Sequence, residues 1–311
     1  MALMREGPRE RVVFIKTYKT GSTTVAMFLN AIAYQRKMRM LHPLDKGWFG
    51  KGELARRGNA GQRFGASFRH MSPFLEYAAL DVLLPRARYV TILREPVSRF
   101  VSLFNFVGTA LRGFRTAEKF VAAAKARSGR VSPGDTNAFC NNMAWVLSGK
   151  PESETLAHVE RGSSSRAAAA ALAAMLEQRG VLVLVSHRMT ESLLLLSRTM
   201  GWDLLGGGSH ALQYKASSER VQGAKKYQCK SGPGSACHEA ILSCNGVDEA
   251  LYAHYAATFD VLVAAAGIDR AQVDAFDRRS KQARGGDWAR KYPVNCKKSQ
   301  KDLFEQLNFC G

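Results

Sequence analysis

The sequence contains no run of about 18 apolar residues, which is roughly the length that a helix needs to cross a bilayer. The first ten residues, MALMREGPRE, are too short and too polar for a secretory signal peptide. Asn-X-Ser/Thr glycosylation sequons are also absent. We therefore expect either that the protein is cytoplasmic or that an N-terminal membrane anchor has been removed from this chain.

Cysteine pairs with the close Cys-X-X-Cys spacing of zinc sites are missing, which argues against a zinc centre. The six cysteines are even in number, and all but Cys140 lie in the last third of the chain: Cys229, Cys237, Cys244, Cys296 and Cys310. A Cys229–Cys237 or a Cys237–Cys244 disulfide would suit an oxidising compartment. Reduced structural cysteines are an equally open alternative.

Acidic residues are scarce relative to basic ones. The chain has 45 Lys and Arg against 26 Asp and Glu, a net charge of +19. Such a charge attracts polyanions, including nucleic acids, acidic glycans, membrane surfaces and nucleotide cofactors. A solvated basic surface without a specific partner accounts for the charge equally well.

The pattern of apolar runs predicts an α/β fold. Strands are expected at 12–15, 62–68, 88–93 and 180–185, and helices at 22–32, 72–80, 96–107, 116–126, 136–147, 164–178, 192–200 and 248–266. Alternating strands and helices imply a central, mostly parallel sheet flanked by helices. The stretch 45–61 is expected to be an irregular loop. We expect an N-terminal extension over 1–10, one domain over 11–285 and a basic, Cys-containing tail over 286–311.

The stretch Arg11–Leu29, RVVFIKTYKTGSTTVAMFL, joins a buried strand to a helix through a turn rich in Gly, Ser and Thr. The first N–H groups of a helix have no partner within the helix, and the helix dipole favours an anion there. Lys16 and Lys19 and the hydroxyl cluster make a phosphate the expected anion. The turn lacks the G-x-x-x-x-G-K-[ST] pattern of the usual nucleoside triphosphatase loop.

A second strand-to-helix junction carries a second candidate anion site. Arg94 closes the strand RYVTIL, and Ser102 follows two turns into the next helix. Arg94 offers a planar, two-pronged donor, and Ser102 adds a hydroxyl to the same group of oxygens. Parallel strands end at one edge of a sheet, so both junctions are expected to meet there.

These two motifs together resemble the nucleotide site of sulfotransferases that use 3′-phosphoadenosine 5′-phosphosulfate. KTGSTT resembles the loop that binds the 5′-phosphosulfate, and the Arg94–Ser102 segment resembles the 3′-phosphate site. Further segments are similar to the galactose-3-O-sulfotransferase family: FIKTYKTGSTTV, YVTILREPVSRFVSLFNF, VLVLVSHRMTESLLLLSRTMGWDL and ALYAHYAATF. The resemblance covers roughly 11–267. The chain departs from it in having Tyr18 for a His, Glu95 for an Asp and Ala256 where the family has a glycosylation sequon.

The resemblance implies a P-loop-like sulfotransferase fold and a role for each matching residue. Lys19 would neutralise the charge that develops on the oxygen between the phosphate and the sulfuryl group as that bond breaks. Arg94 and Ser102 would hold the 3′-phosphate. The remaining donors to the 5′-phosphosulfate would be Lys16, Thr20, Gly21, Ser22, Thr23 and Thr24. The co-substrate would be 3′-phosphoadenosine 5′-phosphosulfate, no metal would be required, and the acceptor would be a sugar or glycolipid hydroxyl in the Golgi lumen.

The acceptor hydroxyl requires a general base, and His70 is the preferred candidate because imidazole suits this task near neutral pH. Its position resembles that of the histidines after the second strand in the related families. Weaker candidates are His42, Glu76 and His187. Further polar residues, equally explained by capping or packing, are Asn137, Asn141, Asn142, Trp145, Lys215 and Ser217.

Two other functions would explain part of the sequence. A nucleotide-dependent kinase would also use a phosphate loop, but it predicts a Mg²⁺-binding Asp after a strand, and no convincing one is present. A non-catalytic glycan- or nucleic-acid-binding protein explains the charge of +19 but leaves the two anion motifs unexplained. Nucleic acid is therefore not an expected partner, and a membrane is expected only through an absent anchor.

Overall fold

The computed structural model describes residues 11–41, 53–59, 66–67, 77–107, 114–126, 136, 138–149, 164–202, 227–229 and 234–283. Within these residues four strands form one parallel sheet. They are β1 (Val12–Ile15), β2 (Ala66–Ser67), β3 (Arg88–Leu93) and β4 (Leu182–Val185). Their order across the sheet is β2-β1-β3-β4. The predicted α/β fold with a parallel sheet is therefore confirmed.

Helices cover both faces of the sheet, which explains why its strands are apolar almost throughout. Their bounds are α1 Ser22–Gln35, α2 Glu53–Asn59, α3 Tyr77–Leu83, α4 Pro96–Val107, α5 Ala117–Lys125, α6 Asn142–Ser148, α7 Ser165–Gln178, α8 Met189–Met200, α9 Ala236–Leu242, α10 Gly246–Ala265 and α11 Arg270–Ala283. A short 3-10 turn, Ser186–Arg188, joins β4 to α8.

Alternate residues of each strand face opposite sides of the sheet. Val12 and Phe14 of β1 pack with α1, α8 and α11 in one buried cluster. Val13 and Ile15 pack with α3, α6 and α7 in the other. The long helix α10 contributes to both clusters, because its first half packs on α7 and its last turns pack beside α8.

A third, smaller core joins α4, α5 and α9 and is dominated by aromatic rings. The ring centroids of Phe100 and Phe139 lie 4.9 Å apart, and those of Phe120 and Phe139 lie 4.7 Å apart. Tilted and edge-to-face contacts at this spacing are favourable for aromatic pairs. This core fixes α4, the helix that follows Arg94, on the rest of the molecule.

Several predicted elements differ in the structure. The predicted loop over 45–61 is wrong at 53–59, where α2 forms and packs on α3 while burying Leu54 and Arg57. The predicted helix over 136–147 is interrupted, because α6 begins only at Asn142 after a left-handed residue, Asn141 with φ 44°. Helix α8 begins earlier than predicted, at Met189. The boundaries proposed at 1–10 and 286–311 fall outside the described residues and stay predictions.

Two disulfides are formed within the described residues. Cys229 pairs with Cys237, which confirms one of the two pairings considered from the sequence. The alternative Cys237–Cys244 pairing is wrong, because Cys244 bonds instead to Cys140 across 104 residues. Cys296 and Cys310 lie outside the described part of the chain.

No single helix among the described residues is both long and apolar enough to cross a membrane. The bent pair Gly246–Ala265 and Arg270–Ser280 meets the length and composition test only when the two helices are taken together, across a bend of 97°.

Candidate active site

The candidate site lies where β1 and β3, paired in the middle of the sheet, reach their carboxyl ends. From β1 the chain leads to β2 on one side, whereas from β3 it leads to β4 on the other. Such a reversal of strand order opens a crevice beyond the carboxyl ends, which is the usual ligand position in parallel sheets. Both predicted anion motifs emerge at this crevice, the first after Ile15 and the second after Leu93.

Threonine hydroxyls fasten the first loop to the sheet. The Thr17 hydroxyl donates to the carbonyl of Ile92 at 2.9 Å, and the Thr91 hydroxyl donates to the carbonyl of Ile15 at 3.0 Å. The Thr17 and Thr20 hydroxyl oxygens lie 2.8 Å apart, and the Ser22 hydroxyl donates to the Thr17 carbonyl at 2.9 Å. The hydroxyls of Thr20 and Ser22 therefore shape the loop itself, and their predicted contact with a phosphosulfate stays a prediction.

The start of α1 has the features of an anion site. Helix α1 begins at Ser22 and carries no acidic residue in its first turn, so no carboxylate of its own offsets the dipole there. Among the predicted donors, Thr23 is exposed and Thr24 is buried, and the Thr24 N–H already donates to the Gly21 carbonyl at 3.0 Å. The remaining first-turn N–H groups lack acceptors within the helix.

Gly21 allows the loop to approach the end of β4. Its φ of 82° lies in the left-handed region that favours glycine. A Cβ at this position would come within 2.8 Å of the Met189 side chain. The close approach brings the residues after β4 to the same crevice, so three strands contribute to the site.

The two lysines of the loop occupy different environments. Lys16 follows β1 directly and is buried, with 8% of its surface exposed. Lys19 is partly exposed and adopts a left-handed backbone conformation with φ 59°. Its ammonium group lies 4.1 Å from the centroid of the Phe106 ring.

Arg94 joins the two motifs directly. Its Nη1 donates to the carbonyl of Lys19 at 3.0 Å, although the two residues are 75 positions apart in the chain. Burial lowers the pKa of Arg94 below its usual value, and the nearby Glu95 opposes this effect. An anion bound beside Arg94 would therefore stabilise its charged guanidinium, which is partly removed from water. Ser102, the other predicted 3′-phosphate ligand, is half-buried on α4.

Glu95 does not act as a simple ion-pair partner of Arg94. Its two carboxylate oxygens accept the N–H groups of Val97 at 2.8 Å and Ser98 at 2.6 Å. A carboxylate at this position caps the helix, and its negative charge also interacts favourably with the positive end of the helix dipole. Glu95 thus has a structural role at the start of α4.

Tyr18 contributes a backbone hydrogen bond that ties the loop to a neighbouring helix. Its N–H donates to Asn142 Oδ1 at 3.4 Å, which ties the loop to the start of α6. Burial raises the pKa of the Tyr18 phenol above its usual value, so the group is protonated near neutral pH.

A buried polar network supports α4 from behind the site. Arg99 is fully buried and donates to the carbonyls of Ala138 and Phe139. It also lies 3.9 Å from the carboxylate of Asp248, which is itself fully buried. Burial raises the pKa of Asp248, while Arg99 and two backbone N–H groups act in the opposite direction.

Sequence patterns missed most of this support. Arg99 belongs to the Arg94–Ser102 segment that resembles the 3′-phosphate site, but the structure buries it fully, where it donates to backbone carbonyls. Asp248 is 149 positions away, so nothing local pairs it with Arg99. Thr17, Thr91 and Asn142 bond to backbone groups of distant segments, which short-range motifs do not record.

The predicted general base, His70, lies outside the described residues, as do His42, Glu76, Asn137, Lys215 and Ser217. His187 is described and lies after β4, where its Nδ1 is 2.9 Å from the Tyr252 hydroxyl. Asn141 caps α10 by accepting the N–H groups of Val247 and Asp248, in agreement with the capping alternative. The assignment of His70 stays a prediction.

Metal ligands were not expected, and in the described ranges no group of three or more His, Cys, Asp or Glu side chains is arranged to hold a metal ion. The site offers instead ammonium, guanidinium, hydroxyl and backbone N–H groups. This donor set suits oxyanions. The prediction that the reaction requires no metal stays a prediction.

Comparison with known proteins supports the resemblance seen in the motifs. A family model described as galactose-3-O-sulfotransferase matches residues 2–286. The chain is 30% identical over 308 residues to galactose-3-O-sulfotransferase 3 of Mus musculus, covering 90% of this chain and 64% of that protein. It is 30% identical over 294 residues to the Homo sapiens protein of the same name, covering 88% of this chain and 61% of that protein.

The similarity extends to a second type of relative. Galactosylceramide sulfotransferase of Mus musculus is 26% identical over 271 residues, covering 85% of this chain and 60% of that protein. The chain spans about three fifths of the length of these curated relatives. The family resemblance found in the sequence is confirmed, and the chain belongs to the galactose-3-O-sulfotransferase family.

Proposed function

We propose that this protein transfers a sulfuryl group from 3′-phosphoadenosine 5′-phosphosulfate to a carbohydrate hydroxyl. The observation that carries the proposal is the 3.0 Å hydrogen bond from Arg94 to the Lys19 carbonyl. It joins two anion motifs at one crevice, and a donor with phosphates at its 5′ and 3′ ends requires two such motifs.

Each motif has its own part of the donor in this proposal. The 5′-phosphosulfate binds at the start of α1, with Lys16, Lys19 and the residues Thr20–Thr24 around it. The 3′-phosphate binds between Arg94 and Ser102. Guanidinium groups suit this second position because they donate two parallel hydrogen bonds to phosphate oxygens.

The reaction itself requires positioning and charge stabilisation. The acceptor oxygen forms a bond to sulfur while the bond from sulfur to the phosphate oxygen breaks. The hydroxyl proton passes to a base, which we propose to be His70, and the negative charge that develops on the leaving phosphate is stabilised by Lys19. Donors fixed in advance for such a charge typically contribute about 2.7–4 kcal/mol each at the transition state.

For the acceptor we propose a galactose-type 3-hydroxyl on a glycan or a glycolipid. The support is the names of the relatives, which refer to galactose and to galactosylceramide. For the compartment we propose the Golgi lumen. The Cys140–Cys244 and Cys229–Cys237 disulfides support this choice, because disulfides persist in oxidising compartments.

Calorimetric titration with 3′-phosphoadenosine 5′-phosphate and, separately, with ATP tests the proposal. We expect the first nucleotide to bind much more tightly. Arg94→Ala removes charge-assisted hydrogen bonds worth about 2–3 kcal/mol and so weakens its binding by roughly 30- to 150-fold. Arg270→Ala is the matched control, because Arg270 is 86% exposed and pairs only with Asp274 on its own helix among the described ion pairs.

The alternatives give different results in the same titration. Equal or preferred binding of ATP would contradict the proposal and favour a kinase. Nucleotide binding that fails altogether, with salt-dependent DNA binding in its place, would favour a polyanion-binding protein. An equal loss of affinity in Arg94→Ala and Arg270→Ala would show that only net charge matters.

A further inference from the structure

The side chain of Lys19 lies on an aromatic ring in the structure. Its Nζ is 4.1 Å from the centroid of Phe106, a distance at which an ammonium group is attracted to the face of a ring. The backbone of Lys19 is held in the left-handed conformation, and its carbonyl accepts the hydrogen bond from Arg94. The contact with Phe106 is thus made by a residue whose backbone is already fixed.

Phe106 itself has little part in the packing of the protein. Its side chain is 54% exposed, whereas Phe100 and Phe104 on the same helix are buried in the aromatic core. Burial of apolar surface therefore does not explain its position. Phe106 follows Ser102 by four residues, so both side chains lie on one face of α4.

The geometry also indicates where the ammonium group is directed. Phe106 stands ten residues after Pro96, the first residue of α4, which corresponds to about 15 Å along the helix axis. The ring that holds the Lys19 ammonium group therefore belongs to the helix turn after Ser102, whereas the proposed function assigns this group to the 5′-phosphosulfate at the start of α1.

We propose that Phe106 is a positioning residue for Lys19, which holds its ammonium group in a resting position that the donor must displace. This inference rests on the proposed function for the assignment of Lys19 to the phosphosulfate. An ammonium group on the ring competes with one on the donor, so the ring lowers the apparent affinity for the donor. At an exposed site the attraction amounts to about a two- to fivefold change in binding.

Substitution of Phe106 tests this competition through the binding of 3′-phosphoadenosine 5′-phosphate. Phe106→Leu keeps an apolar side chain but removes the ring face, and we expect binding to become about two- to fivefold tighter. Phe106→Trp offers a stronger ring face and is expected to weaken binding. Because Phe106 acts through Lys19, the effect of Phe106→Leu should vanish in a Lys19→Met background. Unchanged or weaker binding by Phe106→Leu, or an effect that persists with Lys19→Met, overturns the inference.

A second measurement needs no nucleotide and keeps this inference separate from the proposed function. In protein labelled with ¹³C at Lys Cε, the Lys19 signal is assigned by its loss in Lys19→Met. A ring beneath the methylene group should shift its protons upfield in the wild type, and Phe106→Leu should return them to the usual position. An unshifted wild-type signal overturns the inference whatever the nucleotide does. A shifted signal in a protein that binds no nucleotide instead overturns the proposed function.

Discussion

At the scale of single residues, the candidate site depends on hydroxyl groups that face the protein rather than a ligand. The Thr17 hydroxyl, after β1, donates to the carbonyl of Ile92 in β3, and the Thr91 hydroxyl in β3 donates to the carbonyl of Ile15 in β1. Both side chains are fully buried. Because a buried hydroxyl without a partner is costly, each pairing fixes the loop in one position relative to Arg94. The position of the anion site is therefore set by side chains that need not contact the anion.

Thr17→Val tests this role, since valine has nearly the same shape but no hydroxyl. The Ile92 carbonyl would lose its side-chain donor, and we expect the free energy of unfolding to fall by about 1–3 kcal/mol. Binding of 3′-phosphoadenosine 5′-phosphate should also weaken, as measured by calorimetry. Thr258→Val is the control, because the Thr258 hydroxyl bonds only within its own helix among the described contacts. Equal stability losses in the two variants would contradict this role of Thr17.

His70→Ala tests the proposed base at the same scale. Loss of a general base lowers turnover by about 10²- to 10⁴-fold, whereas the affinity for the donor should stay near that of the wild type. Steady-state transfer rates and calorimetry measure the two quantities. The control is His254→Ala, because His254 is a surface histidine that contacts Glu177. Near-normal turnover of His70→Ala would remove His70 from the mechanism.

At the scale of helices and strands, α6 and α10 cap one another. Asn141, just before α6, accepts two N–H groups from the first turn of α10. Asp248, in the first turn of α10, accepts the N–H groups of Met143 at 3.1 Å and Ala144 at 2.7 Å from α6. The Cys140–Cys244 disulfide joins residues that lie two positions before the starts of α6 and α10. Asn142 at the start of α6 contacts Tyr18, so this junction also supports the anion loop.

Asp248→Ala should be strongly destabilising. The substitution leaves the buried Arg99 guanidinium without its carboxylate partner. It also leaves the N–H groups of Met143 and Ala144 without their side-chain acceptor. Breaking a buried charge pair from one side typically costs about 3–5 kcal/mol. Urea denaturation measures the change. Asp274→Ala, at a partly exposed i,i+4 pair with Arg270, should cost about 0.5 kcal/mol or less. A loss below about 1 kcal/mol for Asp248→Ala would show that Asp248 contributes little to this junction.

At the scale of the whole molecule, the sequence predicted what depends on local pattern. The strand Arg88–Leu93 was predicted with its observed bounds because its β-branched and aromatic residues are continuous. The two anion motifs were predicted to meet because parallel strands end at one edge, and the Arg94–Lys19 contact shows that they do. The family was recognised from the same motifs.

Features that depend on distant partners were not predicted. Helix α2 is short and forms where Leu54 and Arg57 are buried against other elements, and no periodic pattern marks it. Cys140 and Cys244 are 104 positions apart, and proximity in the chain favoured the wrong partner for Cys244. The position of Lys19 on Phe106 follows from the packing of the loop against α4, which neither segment contains by itself.

The central claim is that the joined motifs bind a sulfuryl donor for transfer to a sugar. Incubation of the protein with ³⁵S-labelled 3′-phosphoadenosine 5′-phosphosulfate and a β-galactoside tests it most directly. The account predicts labelled sulfate on the galactoside, and in Lys19→Met a rate lower by roughly 10²- to 10³-fold, as for the loss of one such donor group. A wild-type protein that binds the donor but transfers no label to any galactoside or galactolipid, or that instead transfers phosphate from ATP, would contradict it.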